Sequence, residues 1–125
     1  MNQEQMKMRT KEFAKRVISL SRQLPESREG RLIGSQIFRS GTSVGSNYRV
    51  VCRARSRADF IAKIGLVLEE ADESLYWLEL LNETDILGRE ILTPLLIEAN
   101  ELVSIFVPTL NKAKGRGSEN LKSSI

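Results

Sequence analysis

Apolar positions recur along the chain with a helical period in four separate stretches. Phe13, Val17, Leu20 and Leu24 fall at i, i+4, i+7 and i+11, on one face of a helix predicted over residues 10–24. Leu24-Pro25 ends it, because a residue before proline is pushed out of helical conformation. A second helix is expected to begin between residues 27 and 31, with Ile33, Ile37, Val44, Tyr48 and Val51 on its apolar face and small residues at Ser40 and Gly41. Ser56-Arg57-Ala58-Asp59 reads as a fresh helix start, with Ser56 as N-cap and Asp59 at the third helical position. Phe60, Ile64, Val67, Leu68, Ala71, Leu75, Leu78 and Leu81 continue that third helix until Asn82-Glu83-Thr84-Asp85 breaks the pattern. A fourth follows from about residue 89, with Leu92, Leu95, Leu96, Ala99, Leu102, Val103, Phe106 and Leu110. Pro94 is tolerable there near the first turn, whereas Pro108 is expected to kink or end the helix.

No stretch keeps a period of two, so the fold class is all-α. Four helices with short connections predict an antiparallel up-down-up-down four-helix bundle over residues 1–111, with 112–125 as a flexible basic tail. Leu66, Trp77, Leu80, Ile91 and Ile105 fall off the main stripes. A helix apolar on a second face usually buries it against another subunit, so a homo-oligomer is expected; a wide core is the alternative.

At 125 residues, 41% hydrophobic and 28% charged, the chain has the composition of one globular domain rather than of a disordered segment. Cys52 is the single cysteine, which leaves no intrachain disulfide and suits a reducing compartment. No apolar run approaching the roughly 20 residues of a membrane span is read, nor a signal peptide, so a soluble cytoplasmic protein with no membrane partner is expected.

Charge changes the picture more. The net value is only +3, yet residues 1–65 hold 14 Lys/Arg against 5 Asp/Glu, and residues 66–111 hold 1 against 10. The sequence contains no histidine, which removes the commonest general base, zinc ligand and partner of a Ser or Cys nucleophile. Glu69, Glu70, Asp72 and Glu73 lie mostly off the apolar face and read as an acidic surface rather than a metal site. An enzyme, a metal, a cofactor and a small-molecule substrate are therefore not expected.

The Gly- and Ser-rich segment 34–47 lacks the Gly-x-x-x-x-Gly-Lys-Ser/Thr spacing and the preceding strand of a phosphate loop. Gly41-x-x-x-Gly45 is better read as a place where another helix approaches closely; a kink or a ligand loop are lesser alternatives. Arg49, Arg53, Arg55, Arg57 and Lys63 form the main functional signal, with Arg49, Arg53 and Arg57 read at i, i+4 and i+8 on one helical face. Like charges at that spacing oppose the helix, so an outside anion is implied. Only Asp59 is expected near this run, while Arg39 is in register to pair with Glu73. Lys7, Arg9 and Lys11 from the first helix and Lys112, Lys114 and Arg116 from the tail are placed at the same end. A basic pole of this kind suits nucleic-acid phosphates, with Arg49, Arg53, Arg55, Arg57, Lys63 and Lys11 as candidate contacts. Pairing with an acidic surface of another subunit or protein, or no partner, are the alternatives. Tyr48 and Phe60 are expected in the core, so base stacking is not predicted.

The segments RSGTSVGSNYR (39–49), CRARSRADF (52–60) and LEEADESLYWLELL (68–81), preceded by REGRLIG (28–34), resemble the bacterial four-helix-bundle proteins related to those encoded in 23S ribosomal RNA intervening sequences. The resemblance spans about residues 10–110. It implies an antiparallel four-helix bundle assembling into a ring-like homopentamer. It also implies kinship with accessory proteins of diversity-generating retroelements, which bind nucleic acid and a reverse transcriptase. The family carries no catalytic residues; a basic-surface role is carried over to Arg49, Arg53, Arg55 and Arg57 alone.

Overall fold

The structure is a computed structural model that describes residues 1–115. Among these residues it contains four α-helices, α1 (Gln3–Ser21), α2 (Arg28–Val51), α3 (Arg57–Glu83) and α4 (Arg89–Ala113), and no strand. Each packs on the next in sequence, and α1 closes the ring on α4 through a smaller contact. This is the expected four-helix bundle.

The starts of α2 and α3 follow their local chemistry. Ser27 Oγ accepts the Gly30 N–H at 3.0 Å, and Ser56 Oγ accepts the Asp59 N–H at 3.0 Å, each satisfying an otherwise unpaired donor of a first turn. The Asp59 carboxylate reaches back one residue further than a capping box would, to the Arg55 N–H at 3.0 Å. At the other end of α3, Asp85 takes a left-handed φ of 57°, a conformation that a short polar side chain tolerates.

Three boundaries differ from the sequence reading. Helix α1 begins at Gln3 rather than residue 10, because Asn2 and Gln5 form a reciprocal capping box. Met6 and Thr10 extend the buried stripe of Phe13, Val17 and Leu20 toward it. The same helix stops at Ser21, three residues early; Gln23 and Leu24 make tighter i→i−3 bonds to Leu20 and Ser21. Helix α4 also continues past Pro108 to Ala113, two residues beyond the expected tail boundary. Pro94 and Pro108 both lie on the exposed face, so the carbonyls each frees four residues earlier, on exposed Glu90 and Ser104, have water to bond.

By length and apolar composition α4 could cross a bilayer, which the sequence reading did not anticipate. In this structure its stripe of Leu92, Leu95, Ala99, Leu102 and Phe106 is buried in the bundle, the arrangement of a core helix. Of the off-stripe residues, Trp77, Ile91 and Ile105 pack partly against the core, Leu80 is half-buried, and Leu66 stays 51% exposed. Tyr76 and Ile97 join Leu66 among the exposed large apolar side chains.

Small residues set the spacing on two sides of α2. A Cβ added to Gly41 would meet Val17 Cγ2 at 2.7 Å, and one on Gly45 would lie 3.2 Å from the Thr10 carbonyl oxygen. The Gly41-x-x-x-Gly45 motif is thus where α1 comes close to α2. On the α3 side the buried hydroxyls of Ser40 and Ser74 bond each other at 3.1 Å, and Ser74 Oγ also lies 2.8 Å from the Glu70 carbonyl oxygen. The Ser40–Ser74 contact favours this hairpin register, since sliding would lose the one hydroxyl bond that crosses between the helices while each hydroxyl kept a carbonyl of its own helix.

Candidate nucleic-acid interface

The basic residues near the α2–α3 turn divide into those the fold uses and those it leaves open. Arg49 sits in the last turn of α2, Cys52 caps that helix, Arg53 lies beyond it and Arg57 opens α3. Arg49, Arg53 and Arg57 therefore do not share the one helical face that their spacing suggested, because α2 ends before Arg53 and the chain turns into α3 before Arg57.

Arg57 points away from the others. Its Nε–H donates to the Ala113 carbonyl oxygen at 2.7 Å, placing a positive charge on the C-terminal end of α4, where last-turn carbonyls lack helical partners. Lys63 pairs with Asp59 at 2.8 Å, one helical turn away. The hydrogen bonds from Lys63 and from the Arg55 N–H hold the Asp59 carboxyl below the ordinary carboxylate range. Arg57 and Lys63 are thus partnered within the fold.

Arg9, expected at the basic pole, is partnered too. Its Nε and Nη2 bond the two Glu98 oxygens at 2.7 and 2.8 Å, and Nη2 reaches Glu101 at 2.7 Å. The Glu98 hydrogen bonds raise the pKa of the guanidinium above its ordinary value against the opposing effect of burial. This bidentate clasp ties α1 to α4 across the smaller of the interhelical contacts.

What remains gathers in one place. Lys7 and Lys11 from α1, Arg49 from the last turn of α2 and Arg53 just beyond it line an open groove of about 440 Å³ between the two helices, together with Met8, Ala14, Thr42, Gly45 and Ser46. No carboxylate of the described residues lines it. Among the described residues, Lys11, Arg49, Arg53 and Arg55 make no ion pair, and Lys7 has only exposed Glu4. Arg55 is exposed beside the α2–α3 turn, outside the lining. Of the tail cations, Lys112 and Lys114 are exposed at the end of α4; Arg116 lies outside the described residues.

Lys7 is the lining cation that the sequence reading left out of its candidate contacts. The signal was its i, i+4 relation to Lys11, hidden when the helix was begun at residue 10. Tyr48, the neighbour of Arg49, turns inward as expected: it stacks on Phe106 with ring centroids 6.0 Å apart, and burial, then nearby Cys52, pushes its phenol up to about 12. No aromatic ring lines the groove. The arrangement offers fixed positive charge and small polar groups, suited to anionic oxygens.

Comparison with known proteins adds family context. The family described as 23S rRNA-intervening sequence protein matches residues 3–107. A crystal structure of a protein of unknown function from the S23 ribosomal protein family of Bacteroides thetaiotaomicron superposes with a TM-score of 0.76 at 38% identity, over 83% of this chain and 96% of that one. The search of curated proteins finds no match.

Proposed function

The chain belongs to the 23S rRNA-intervening sequence protein family, and we propose that it is a non-enzymatic, oligomeric protein that holds the phosphate backbone of RNA or DNA in its α1–α2 groove. The observation that carries this reading is the facing of Lys7 and Lys11 against Arg49 and Arg53 with no carboxylate between them. Such an arrangement repels itself until an anion enters, and a polyanion supplies several charges at the right spacing. Arg55, Lys112 and Lys114 extend the positive field around the same end. Assembly into a ring-like pentamer, as the family resemblance implies, would cover some of the exposed apolar residues Leu66, Tyr76 and Ile97.

Binding to labelled RNA and DNA across a salt series tests the reading. Four phosphate contacts per protomer predict that log K falls with log salt at a slope of about −3 to −4. Binding that ignores salt, or none to either polymer at low salt, sinks it. The exposed apolar residues favour a second reading, a scaffold for a protein partner such as a nucleic-acid enzyme. Under that reading, charge reversal at Arg49 and Arg53 breaks the oligomer in light scattering while nucleic-acid binding is never seen.

A further inference from the structure

The two banks of the groove stand close together. A Cβ on Gly45 would lie 3.3 Å from the Thr10 carbonyl carbon and 3.5 Å from the Lys11 backbone nitrogen, so the helix backbones approach each other beneath the cations. The floor between them is small, with buried Gly45 and half-buried Ala14 and Thr42, and exposed Ser46 stands at its rim. The Thr42 and Ser46 hydroxyls bond carbonyls of their own helix, on Phe38 at 2.7 Å and on Ser43 at 3.2 Å, and so stay folded down. Along α1, Lys7 and Lys11 are spaced about 6 Å apart by the helical rise. The site is a cleft with positive charge on both sides.

Shape decides what can fill it. A duplex is read by parts that protrude, as when one helix about 10–12 Å across enters a major groove about 12 Å wide. A cleft between two helices is the reverse: a duplex would bridge the banks, meet only the tips of the cations and leave the floor empty. The backbone of an unpaired strand is thin enough to lie between the banks and be neutralised from both, as in the charged grooves that track single strands. Resting on the phosphate-binding reading above, we propose that the α1–α2 groove holds the sugar–phosphate backbone of an unpaired strand in preference to a duplex. Bases then face outward, without stacking, and sequence matters little.

The test uses the full chain with two probes at one ionic strength, an oligouridine RNA and a blunt-ended RNA duplex of equal length. The oligouridine is expected to bind tighter by about tenfold, the worth of one additional charge-assisted contact. Ser46→Leu narrows the cleft from its exposed rim without changing charge. With helicity by circular dichroism unchanged, it is expected to weaken oligouridine binding by about the same factor and to leave the duplex as before. Equal or tighter duplex binding that depends on Lys11 and Arg49, or oligouridine binding indifferent to Ser46→Leu, overturns the strand preference and leaves the phosphate reading standing. Failure of both probes to bind at low salt removes both.

Discussion

Toward α3, helix α2 presents Arg39 to two carboxylates; toward α1, Arg49 at its end and Arg53 just beyond it meet two more cations. Arg39 Nη1 lies 3.1 Å from Glu70, its Nη2 bonds Glu73, and Glu73 also accepts the Trp77 indole N–H at 3.1 Å. Across the opposite groove, Lys7 and Lys11 face Arg49 and Arg53 with no acid among them. The same side chain type therefore serves two ends on one helix. An arginine enclosed by acids belongs to the fold, and because it is half-exposed it adds little, about 0–1 kcal/mol. An arginine facing like charge costs the fold a little and gains its interaction energy only when an anion arrives. Counting basic residues misses this distinction; their tertiary neighbours decide it.

The largest expected effect comes from reversing the open side. Lys11→Glu, Arg49→Glu and Arg53→Glu together should lower nucleic-acid affinity by at least about a hundredfold in a low-salt filter-binding or anisotropy assay. Arg39→Ala should leave affinity within about twofold, since its charge already belongs to Glu70 and Glu73. Equal losses from both would erase the contrast between the two sides of α2.

Next in size is a wedge at the helix contact under the groove. Gly41→Leu drives a side chain into Val17, which is fully buried and branched at Cβ, and should destabilise the fold by about 2–3 kcal/mol in urea unfolding. At Gly65 nothing lies within 4 Å of the place a Cβ would take, so Gly65→Ala should instead stabilise by about 0.5–1 kcal/mol through helix propensity. A Gly41 variant as benign as Gly65→Ala would show that α1 does not press on α2 there.

Arg57 sharpens the contrast between used and open cations. Arg57→Ala removes the hydrogen bond to Ala113 and should cost about 0.5–1 kcal/mol of stability with nucleic-acid affinity unchanged. A loss of affinity as large as that of Arg53→Ala would return Arg57 to the interface.

The smallest effect is a dependence on pH. The Asp59 carboxyl is held below its unfolded value by Lys63 and the Arg55 N–H, so the stability it adds is complete above that value, about 3.9. It is lost as pH falls through the lower folded value. The gap in Tm between the native chain and Asp59→Asn should therefore be full near neutrality and close in strong acid. A gap that widens on acidification contradicts the assignment.

Parts of this arrangement were readable from local residues. Ser56 and Asp59 carry the start of α3 within four positions, and the Gly41-x-x-x-Gly45 spacing needs only a helical period to mark a close approach. The Arg39–Glu73 pair followed from antiparallel register alone. The start of α1 was missed because Asn2 and Gln5 precede the apolar stripe that reveals a helix, leaving only Met6 to hint at it. The helix was not ended by Pro108 because the cost of a missing N–H depends on whether water reaches the freed carbonyl, which is a question of facing.

Periodicity, caps and short connections act over a few residues, so the amino-acid order alone specified the four helices, their antiparallel succession and the charge segregation. Which cations stay open was settled only by packing. Arg9 faces α4 and finds Glu98, whereas Lys7 and Lys11 face α2 and find Arg49 and Arg53. Three positions drawn from one helix thus end in different electrostatic surroundings. Rotation of α1 about its axis, fixed where Val17 and the Thr10 backbone press on Gly41 and Gly45, separates them, and that rotation exists only once the helices are packed.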